Sequence, residues 1–567
     1  MKIFFKKATR TIFYFFSFGL SGMVIFSACS KGGNSPTPPP PTPQVPVVKS
    51  IIIDNQDAGS NQLFNISTSP IIRISFTQPI KSSTTSGAIA LSDASGVLIP
   101  VNISLQNSDS VIQVQPTGSI SYLAKFIFTV NTTLESASGA RLNIPVAKAF
   151  ITRIDPTLKF PSISDDSLLT LVQKQTFKYF WDFGHPVSGL ARERNTSGDI
   201  VTSGGSGLGI MTIPVGVNRG FITRQEGLMR MQKITDFLKN DAVKVKGAFS
   251  HWLNGITGAI VPFSANDNGA DLVETSLLMM GLLTARQYFD DPGTAETNLR
   301  NDITQLYNDV EWDWFRNGGQ DVLYWHYSPD KGWIMNLPIR GWNECLITYV
   351  LAASSPTHSI PVSVYNNGWK NSSIFLNGNT YYGTVLPLGP DQGGPLFFEH
   401  YSFMGINPNG LSEGGINYTT QAQNHTRINY SYCVANPKNW FGFKDSCWGL
   451  TASDIPGGYT ASSPTNDVGV IAPTAALSSL PFTPSESMKA LKYFYYVLGD
   501  KIWKEYGFVD AFKLNDLWFA TSYIAIDQGP IIGMIENYRT GLLWNLFTSS
   551  PEVKTGMLAL GFTAPYL

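Results

Sequence analysis

The apolar pattern of this chain changes its period near residue 160, and this change constrains the fold more than any other feature. Over residues 48–156 apolar and polar residues alternate, as at Ile72, Ile74 and Phe76. From residue 162 onward the period is that of amphipathic helices, as in DDSLLTLVQKQTFKYFWDF and ADLVETSLLMMGLLTARQYF. The pattern therefore predicts a small all-β module followed by a large all-α domain.

The first module, residues 48–156, has turn signals such as Asp57-Ala58-Gly59 and Ser138-Gly139 between short alternating runs. This spacing is typical of an antiparallel sandwich, and the segment resembles bacterial Ig-like modules. It contains no His, no Trp and few acids. We therefore expect a spacer, with carbohydrate or protein binding as the alternative.

The second domain, residues 162–567, consists of helical patterns separated by long loops rich in Gly, Pro and Asn. This organisation favours an α/α toroid over a simple bundle, because the loops and inner-helix ends of a toroid form a cleft. Gly204-Gly205-Ser206-Gly207 is interpreted here as a flexible turn.

The N-terminal segment has the features of a lipoprotein signal peptide over residues 1–28. Four basic residues precede an apolar run from 12 to 26, which is followed by Ser27-Ala28-Cys29. We expect lipidation at Cys29 and a lipid-anchored location in the cell envelope, at the outer membrane or in the periplasm. The alternative is a cleaved signal with an incidental Cys. Residues 29–47 are a Pro-rich linker that favours extended polyproline II.

Net charge limits the classes of partner that are expected, and the cysteine content limits the disulfides that can form. Removal of the signal peptide lowers the formal net charge from −1 to about −5, because that segment carries four basic and no acidic residues. Nucleic acid is therefore not an expected partner. A monomer is the default expectation. In an oxidising compartment Cys433 and Cys447 could form a disulfide, whereas Cys345 is expected to be a buried thiol.

The motif content favours carboxylate chemistry among aromatic residues. The chain lacks a phosphate-binding loop, HExxH and GxSxG, and its six His are scattered, which argues against a metal site. It carries 13 Trp, 23 Tyr and 35 Phe with only 14% charged residues. Glycoside hydrolysis needs a protonated carboxyl group and a second carboxylate in such surroundings.

Two groups of acids fit that need. Asp271 and Glu274 share one face at the start of a helix, although acids in a first turn also stabilise the helix dipole. Glu344 follows Trp342 and Asn343, and partial desolvation there would raise its pKa toward that of a general acid. The alternative for Glu344 is an ion pair with Arg340.

A second set of residues is predicted to contact substrate. Asp527 and Glu536 flank a helix start, where capping and pairing with Arg539 are the structural alternatives. The predicted substrate-binding residues are Trp342, Asn343, Arg194, His400, Tyr401, Glu413, Asp527, Gln528 and Glu536.

Nearly all of residues 162–567 resembles the bacterial glucoamylase-like domain family, specifically glycoside hydrolase family 144, the β-1,2-glucanases. The resemblance is carried by GLARERN, GGSGLGIMTIPVGVNRGFITRQE, DLVETSLLMMGLLTARQYF, IRGWNECLITYVLAASSPTH, CWGLTASD, SPTNDVGVIAPTAALSS and AIDQGPIIGMIENYRTGLLW.

This resemblance implies an (α/α)6 toroid that hydrolyses β-1,2-glucan to sophoro-oligosaccharides with inversion, without metal or cofactor. It places the family's important acids on Asp267, Asp271, Glu274 and Glu344. Glu344 is expected to be the general acid. Asp271 ranks first as the base, followed by Asp267 and Asp527.

Three alternatives to an endo-β-1,2-glucanase are retained. The first is an exo-acting enzyme that releases sophorose, and the second is a non-catalytic glycan-binding lipoprotein. The third is a polysaccharide lyase, in which Arg192, Arg194 and Arg219 together with His400 would supply the base and the cationic groups needed for β-elimination from a uronate substrate.

Overall fold

The structure is a computed structural model that describes residues 42–59 and 62–567. The predicted signal peptide, Cys29 and most of the predicted linker lie outside the described residues. Among the helices of the described part, none has both the length and the apolar content needed to cross a membrane.

The N-terminal module is a sandwich of two five-stranded sheets, with strand orders β2-β1-β4-β8-β7 and β3-β10-β9-β5-β6. All strand pairs are antiparallel except β3 with β10. The alternation predicted from sequence is confirmed, because Ile72, Ile74 and Phe76 are buried between the sheets. The strands are β1 Val48–Ile53, β2 Gln56–Asp57, β3 Leu63–Ile66, β4 Ile72–Phe76, β5 Ile89–Asp93, β6 Leu98–Ile99, β7 Val101–Gln106, β8 Val111–Pro116, β9 Lys125–Val130 and β10 Val146–Thr152, with a short helix α1 Thr85–Ala88.

The second domain is helical around one continuous apolar core. Its helices are α2 Asp165–Trp181, α3 Ser203–Asn218, α4 Arg224–Asn240, α5 Leu272–Tyr288, α6 Thr294–Asn308, α7 Leu346–Ser354, α8 Phe397–Gly405, α9 Tyr418–Ala435, α10 Pro473–Leu477, α11 Pro484–Lys492, α12 Gly499–Ile502, α13 Ala525–Thr540, α14 Leu542–Thr548 and α15 Pro551–Ala559.

Short strands lie in the loops between these helices. They are β11 Ile200–Thr202, β12 Trp252–Asn254, β13 Ile260–Val261, β14 Ala270–Asp271, β15 His326–Tyr327, β16 Thr380–Tyr381, β17 Thr384–Val385, β18 Ser412–Glu413, β19 Ile416–Asn417, β20 Ala452–Ile455, β21 Gly458–Ala461, β22 Trp503–Lys504, β23 Gly507–Phe508, β24 Phe512–Lys513 and β25 Trp518–Phe519.

Helices α3, α5 and α13 are buried on nearly all sides, and α3 packs against both α5 and α13. The glycine run predicted to be a flexible turn is instead the first turn of α3, so that prediction is wrong. Its glycines allow close packing: a Cβ on Gly207 would lie 2.2 Å from the carbonyl oxygen of Leu277 in α5. The run is therefore a helix-packing surface.

The predicted disulfide is also wrong. Cys433 and Cys447 are free thiols, both fully buried in the core of the helical domain. Burial raises the pKa of Cys447 to about 12, so the thiol stays protonated and unreactive. Cys345 is a buried free thiol as predicted.

The sandwich contacts the loops of the helical domain through two interactions. The ring of Phe64 stacks on Phe441 with centroids 5.3 Å apart. The Gln62 side chain donates a hydrogen bond to the backbone oxygen of Asn515 at 3.4 Å. Phe64 lies in β3 and Gln62 just before it, and their partners lie in the loops that precede β20 and β25.

Candidate active site

A pocket of about 410 Å³ opens where the N-terminal ends of α3, α5 and α13 meet the loops of the helical domain. Aromatic and apolar side chains form most of its wall, and a few charged groups interrupt them. This composition is typical of small-molecule and sugar sites. The lining residues are Glu193, Arg194, Thr202, His251, Trp252, Phe263, Glu274, Phe397, Tyr401, Ala452, Tyr459, Ala461, Ile524 and Ile526.

Asp271 is fixed on both of its oxygens behind the pocket wall. Its Oδ1 caps α5 by accepting from the backbone N–H groups of Val273 at 3.0 Å and Glu274 at 2.9 Å. Its Oδ2 lies 3.4 Å from His251 Nδ1 and 3.3 Å from His326 Nε2. Burial raises the pKa of Asp271, but the two imidazoles outweigh burial and hold this pKa well below its ordinary value.

The two imidazoles reach Asp271 from different segments. Strand pairing between β14 and β15 sets His326 directly opposite Asp271, and the His326 Nε2 also lies 3.3 Å from Asp267 Oδ2. Burial lowers the pKa of each imidazole, but the neighbouring carboxylates raise the pKa of His251 to about 9 and that of His326 to about 10. Both side chains are therefore cations at neutral pH.

Glu274 is the carboxyl group of this cluster that lines the pocket. Its Oε2 accepts a hydrogen bond from the backbone N–H of Gly204 at 2.9 Å, at the N-terminus of α3. Its Oε1 lies 4.0 Å from His251 Nδ1. Burial raises the pKa of Glu274; the His251 charge opposes this rise, and the Asp271 charge adds to it.

Glu344 is half-buried on the loop that leads into α7. Burial raises its pKa to about 7, and the charges of Glu274 and Asp271 add to the rise. The loop is held by three hydrogen bonds: the Trp342 indole to Glu399 at 2.9 Å, the Cys345 N–H to Asn343 at 2.9 Å, and the Ser402 hydroxyl to the Glu344 carbonyl at 2.6 Å. Trp342 and Asn343 therefore fix this loop and do not line the pocket.

A second group of carboxyls lies behind the opposite wall, next to Tyr401 and Tyr459. Burial raises the pKa of Tyr401 well above its ordinary value, and the charge of Asp527 is the next largest cause. Asp527 and Asp510 are both buried and interact: burial raises the pKa of Asp510 to about 7 and that of Asp527 well above its usual range. This pair is therefore protonated on at least one member near neutral pH.

Arg194 links this second group to the pocket. Its guanidinium donates to Glu193 at 2.9 Å and to Asp454 at 3.2 Å. The backbone N–H of Asp454 in turn donates to Asp510 at 2.7 Å. Arg194 therefore lies in the pocket wall, as predicted for a substrate-binding residue, with its charge balanced by two carboxylates.

Four predicted binding residues lie in the core, outside the pocket lining, and we assign them structural roles. Their partners are Ser479 at 2.9 Å for His400, Lys370 at 2.6 Å for Glu413, Arg219 at 2.7 Å for Glu536 and the Phe508 carbonyl at 3.3 Å for Gln528. Burial lowers the pKa of His400 to about 3, so its imidazole is neutral. Two of the cationic side chains of the lyase alternative also have partners within the protein. Arg219 pairs with Glu536, and Arg192 donates hydrogen bonds to backbone carbonyls.

The sequence analysis missed His251, His326, Asp510 and the hairpin residue Tyr459. One sequence signal could have indicated a site role for the two histidines: each is adjacent to a Trp, in His251-Trp252 and Trp325-His326. Histidines at such separation look unrelated until the register of β14 with β15 brings them together.

Ligand atoms of His251, Asp267 and Asp271 lie within 4.8 Å of one another, which is close enough for a shared cation. The imidazolium charges of His251 and His326 already balance the carboxylate charges of Asp267 and Asp271.

The comparisons with known proteins agree with this architecture. Residues 336–551 match the family model described as "Putative glucoamylase", and residues 44–152 match the model of the bacterial Ig-like domain. A curated relative is the exo β-1,2-glucooligosaccharide sophorohydrolase (non-reducing end) of Parabacteroides distasonis, 45% identical over 418 residues, or 70% of this chain. The chain spans 58% of the length of that relative.

Two solved structures are also similar. The endo-β-1,2-glucanase from Chitinophaga pinensis, in complex with sophorotriose and glucose, is 48% identical with a TM-score of 0.70, covering 72% of this chain and 100% of that one. The β-1,2-glucanase from Parabacteroides distasonis is 36% identical with a TM-score of 0.69, covering 92% of this chain and 74% of that one. This chain therefore belongs to the glucoamylase-like β-1,2-glucanase family, glycoside hydrolase family 144.

Proposed function

We propose that this protein is an inverting glycoside hydrolase that cleaves β-1,2-glucan internally to sophoro-oligosaccharides. The observation that carries the proposal is the pair of carboxyl groups Glu344 and Glu274, whose pKa values are both raised by burial beside an aromatic pocket. Hydrolysis of a glycosidic bond needs one carboxyl group that gives a proton and one that takes a proton from water.

Glu344 is the proposed general acid. With a pKa of about 7, its carboxyl group is protonated below neutral pH and can donate to the leaving glycosidic oxygen. Three hydrogen bonds around it, from Trp342, Cys345 and Ser402, hold the loop that presents it. Such fixed presentation reduces the reorganisation needed in the transition state.

Glu274 is the proposed base, in preference to Asp271, which ranked first from the sequence. Asp271 has both oxygens engaged by α5 and by two imidazoles, and its lowered pKa makes it a poor proton acceptor. Glu274 faces the pocket and has a raised pKa. Asp267 and Asp271 would then hold the two imidazolium groups beside the reacting centre.

Endo cleavage is supported by the Chitinophaga pinensis enzyme, which this chain covers over its whole length at 48% identity. The alternative is exo release of sophorose, which the 45% identical Parabacteroides distasonis relative favours. A time course of products from linear β-1,2-glucan, separated by size, distinguishes the two. A ladder of oligosaccharides at early times supports endo action, and sophorose alone would support the exo alternative.

Soluble starch is the matched substrate control for that time course, since it tests the α-1,4 linkage implied by the word glucoamylase. We expect no sugar release from starch. Release from starch and none from β-1,2-glucan would contradict the proposed substrate.

We also propose that the helical domain is an (α/α)6 toroid. The support is the contrast between α3, α5 and α13, which are buried nearly all round, and amphipathic helices such as α4 and α6, which expose one face. An inner ring enclosed by an outer ring has this distribution.

For the whole chain we propose a lipid-anchored monomer in the cell envelope, with Cys29 as the acylated residue and residues 29–47 as the spacer. The support is the basic, apolar and Ser27-Ala28-Cys29 pattern of the N-terminal sequence.

A further inference from the structure

His251 lies in the pocket wall with its two ring nitrogens in different surroundings. Its Nδ1 lies 3.4 Å from Asp271 Oδ2 and 4.0 Å from Glu274 Oε1. Within residues 42–59 and 62–567, no protein group forms a hydrogen bond with its Nε2. The imidazole is 25% exposed and lines the pocket. Because Nδ1 faces Asp271, we infer that Nε2 is the ring nitrogen that a ligand can reach.

We propose that His251 is a substrate-binding residue whose Nε2 donates a hydrogen bond to a hydroxyl of the glucose unit that lies against Phe263. This inference rests on the proposed function, because it assigns a contact of the same pocket.

An aromatic platform stands beside the imidazole. The Phe263 ring lies 4.3 Å from the His251 ring and 4.9 Å from the Trp252 ring, and Phe263 is 49% exposed at the pocket. A sugar ring can cover such an apolar face while its hydroxyls reach polar groups at the edge. The His251 imidazole is a polar group in contact with this platform.

The backbone of His251 is fixed, so the ring is presented in one place. The His251 carbonyl accepts a hydrogen bond from the Ser203 N–H at 3.1 Å, at the N-terminus of α3. The following residue, Trp252, starts β12, which pairs with β11 and β13. A donor held in this way loses little conformational entropy when it binds substrate.

The competing explanation is that His251 serves only to hold Asp271. His326 already does this, since its Nε2 lies 3.3 Å from Asp271 Oδ2 and 3.3 Å from Asp267 Oδ2. His326 is 10% exposed and does not line the pocket. Of the two imidazoles beside Asp271, only His251 has an edge in the pocket, which a purely structural role leaves unexplained.

Two substitutions separate the roles of the two nitrogens. His251→Asn places an amide nitrogen near the position of Nδ1, so it keeps the contact with Asp271 and loses the donor in the pocket. His251→Gln places an amide nitrogen near the position of Nε2, so it keeps the donor in the pocket. The control is His358→Asn, a half-exposed imidazole that bonds Asp313 at 3.1 Å outside the pocket.

The experiment measures binding of sophorotriose and longer β-1,2-linked oligosaccharides by calorimetry in the hydrolysis-deficient Glu344→Gln protein. We expect His251→Asn to weaken binding about 10- to 100-fold, His251→Gln to weaken it less than Asn does, and His358→Asn to leave it unchanged. Melting temperatures of all variants identify any loss of fold. If Asn unfolds the protein, Phe263→Ala with His251 intact replaces it, and unchanged affinity in that variant would overturn the proposal, because the glucose unit that His251 binds is proposed to lie against Phe263.

Unchanged affinity in His251→Asn would overturn the proposal, as would a greater loss in Gln than in Asn. Absence of binding to any β-1,2-linked oligosaccharide by the Glu344→Gln parent would overturn the proposed function and this inference together. That result is distinguishable, because it appears before any His251 substitution is made.

Discussion

Two carboxyl groups near the pocket, Asp271 and Glu344, differ strongly in pKa, and their local contacts explain the difference. Asp271 accepts two N–H bonds at the start of α5 and faces two imidazolium groups, which favour the carboxylate. Among residues 42–59 and 62–567, no cation contributes to the pKa of Glu344, and burial with two nearby acids favours its protonated form. The environment therefore assigns one group to charge stabilisation and the other to proton donation.

The pH dependence of kcat/KM should report the protonation of Glu344. Its pKa is raised to about 7, so the acid form is present below that pH and is lost as the pH rises through it. We expect activity on β-1,2-glucan to fall on the alkaline side with an apparent pKa near 7. Rates measured from pH 4 to 10 check this, and a rate that stays constant up to pH 9 would contradict the assignment.

Gly204 should be required for the position of Glu274. A Cβ at this residue would lie 2.3 Å from Glu274 Oε2, so Gly204→Ala must displace the carboxylate. We expect kcat to fall at least 10-fold with a much smaller change in KM. Gly458→Ala, on the hairpin of β20 and β21 with its nearest contact at 4.0 Å, is the control. Equal kcat values for the two variants would refute this role of Gly204.

At the residue level the sequence indicated the acids of the site and little of what surrounds them. Glu274 lies in the pocket and Glu344 close to it, as the spacing and the resemblance suggested. His251 and His326 escaped notice because chain separation hides contacts that β14 and β15 create. His400 and Glu413 are buried and hydrogen-bonded within the core, and the sequence did not indicate this because polar residues beside aromatics occur in buried networks as well as in clefts.

Among the secondary-structure elements, the helices were predictable from their apolar period, but the burial of the inner helices was not. Helix α3 starts with a glycine run that resembles a turn in sequence, and its packing on α5 and α13 explains the glycines. Helices α3, α5 and α13 are buried nearly all round, so apolar residues lie on every face. Their hydrophobic periodicity therefore does not indicate which face contacts which neighbouring helix.

The crossing of α3 and α5 should be sensitive to a single methyl group. A Cβ on Gly281 would lie 2.1 Å from the Gly207 carbonyl oxygen, so Gly281→Ala must separate the two helices. We expect a loss of about 1–3 kcal/mol in the free energy of unfolding, as for other overpacked cores. Denaturant unfolding measures it. Gly87→Ala, which meets nothing within 4 Å in the sandwich, is the control, and equal stability of both variants would contradict the packing.

At the scale of the whole molecule, the sandwich and the helical domain make specific contacts through Phe64 with Phe441 and Gln62 with Asn515. The change of hydrophobic period predicted the order of the two folds, because each period belongs to one type of secondary structure. The contact between them was not predictable, since single surface residues form it.

Acylation should depend on Cys29. If this residue is acylated, the full-length chain expressed in a Gram-negative host incorporates labelled palmitate, and Cys29→Ser loses the label, because the thiol that carries the acyl chain is gone. Immunoprecipitation after metabolic labelling measures this. Cys345→Ser, which alters a buried thiol of the helical domain, is the control. Equal labelling of the Cys29→Ser protein would contradict the proposed anchor.

The most direct test of the account is the rate of reducing-end release from linear β-1,2-glucan by the wild type, Glu344→Gln and Glu311→Gln. Glu311 is a surface residue paired with Lys246 at 3.1 Å, so its variant controls for the loss of a carboxylate. We predict wild-type rates for Glu311→Gln and a loss of at least 100-fold for Glu344→Gln. Retention of wild-type activity by Glu344→Gln, or no release from this glucan by the wild type, would contradict the central claim.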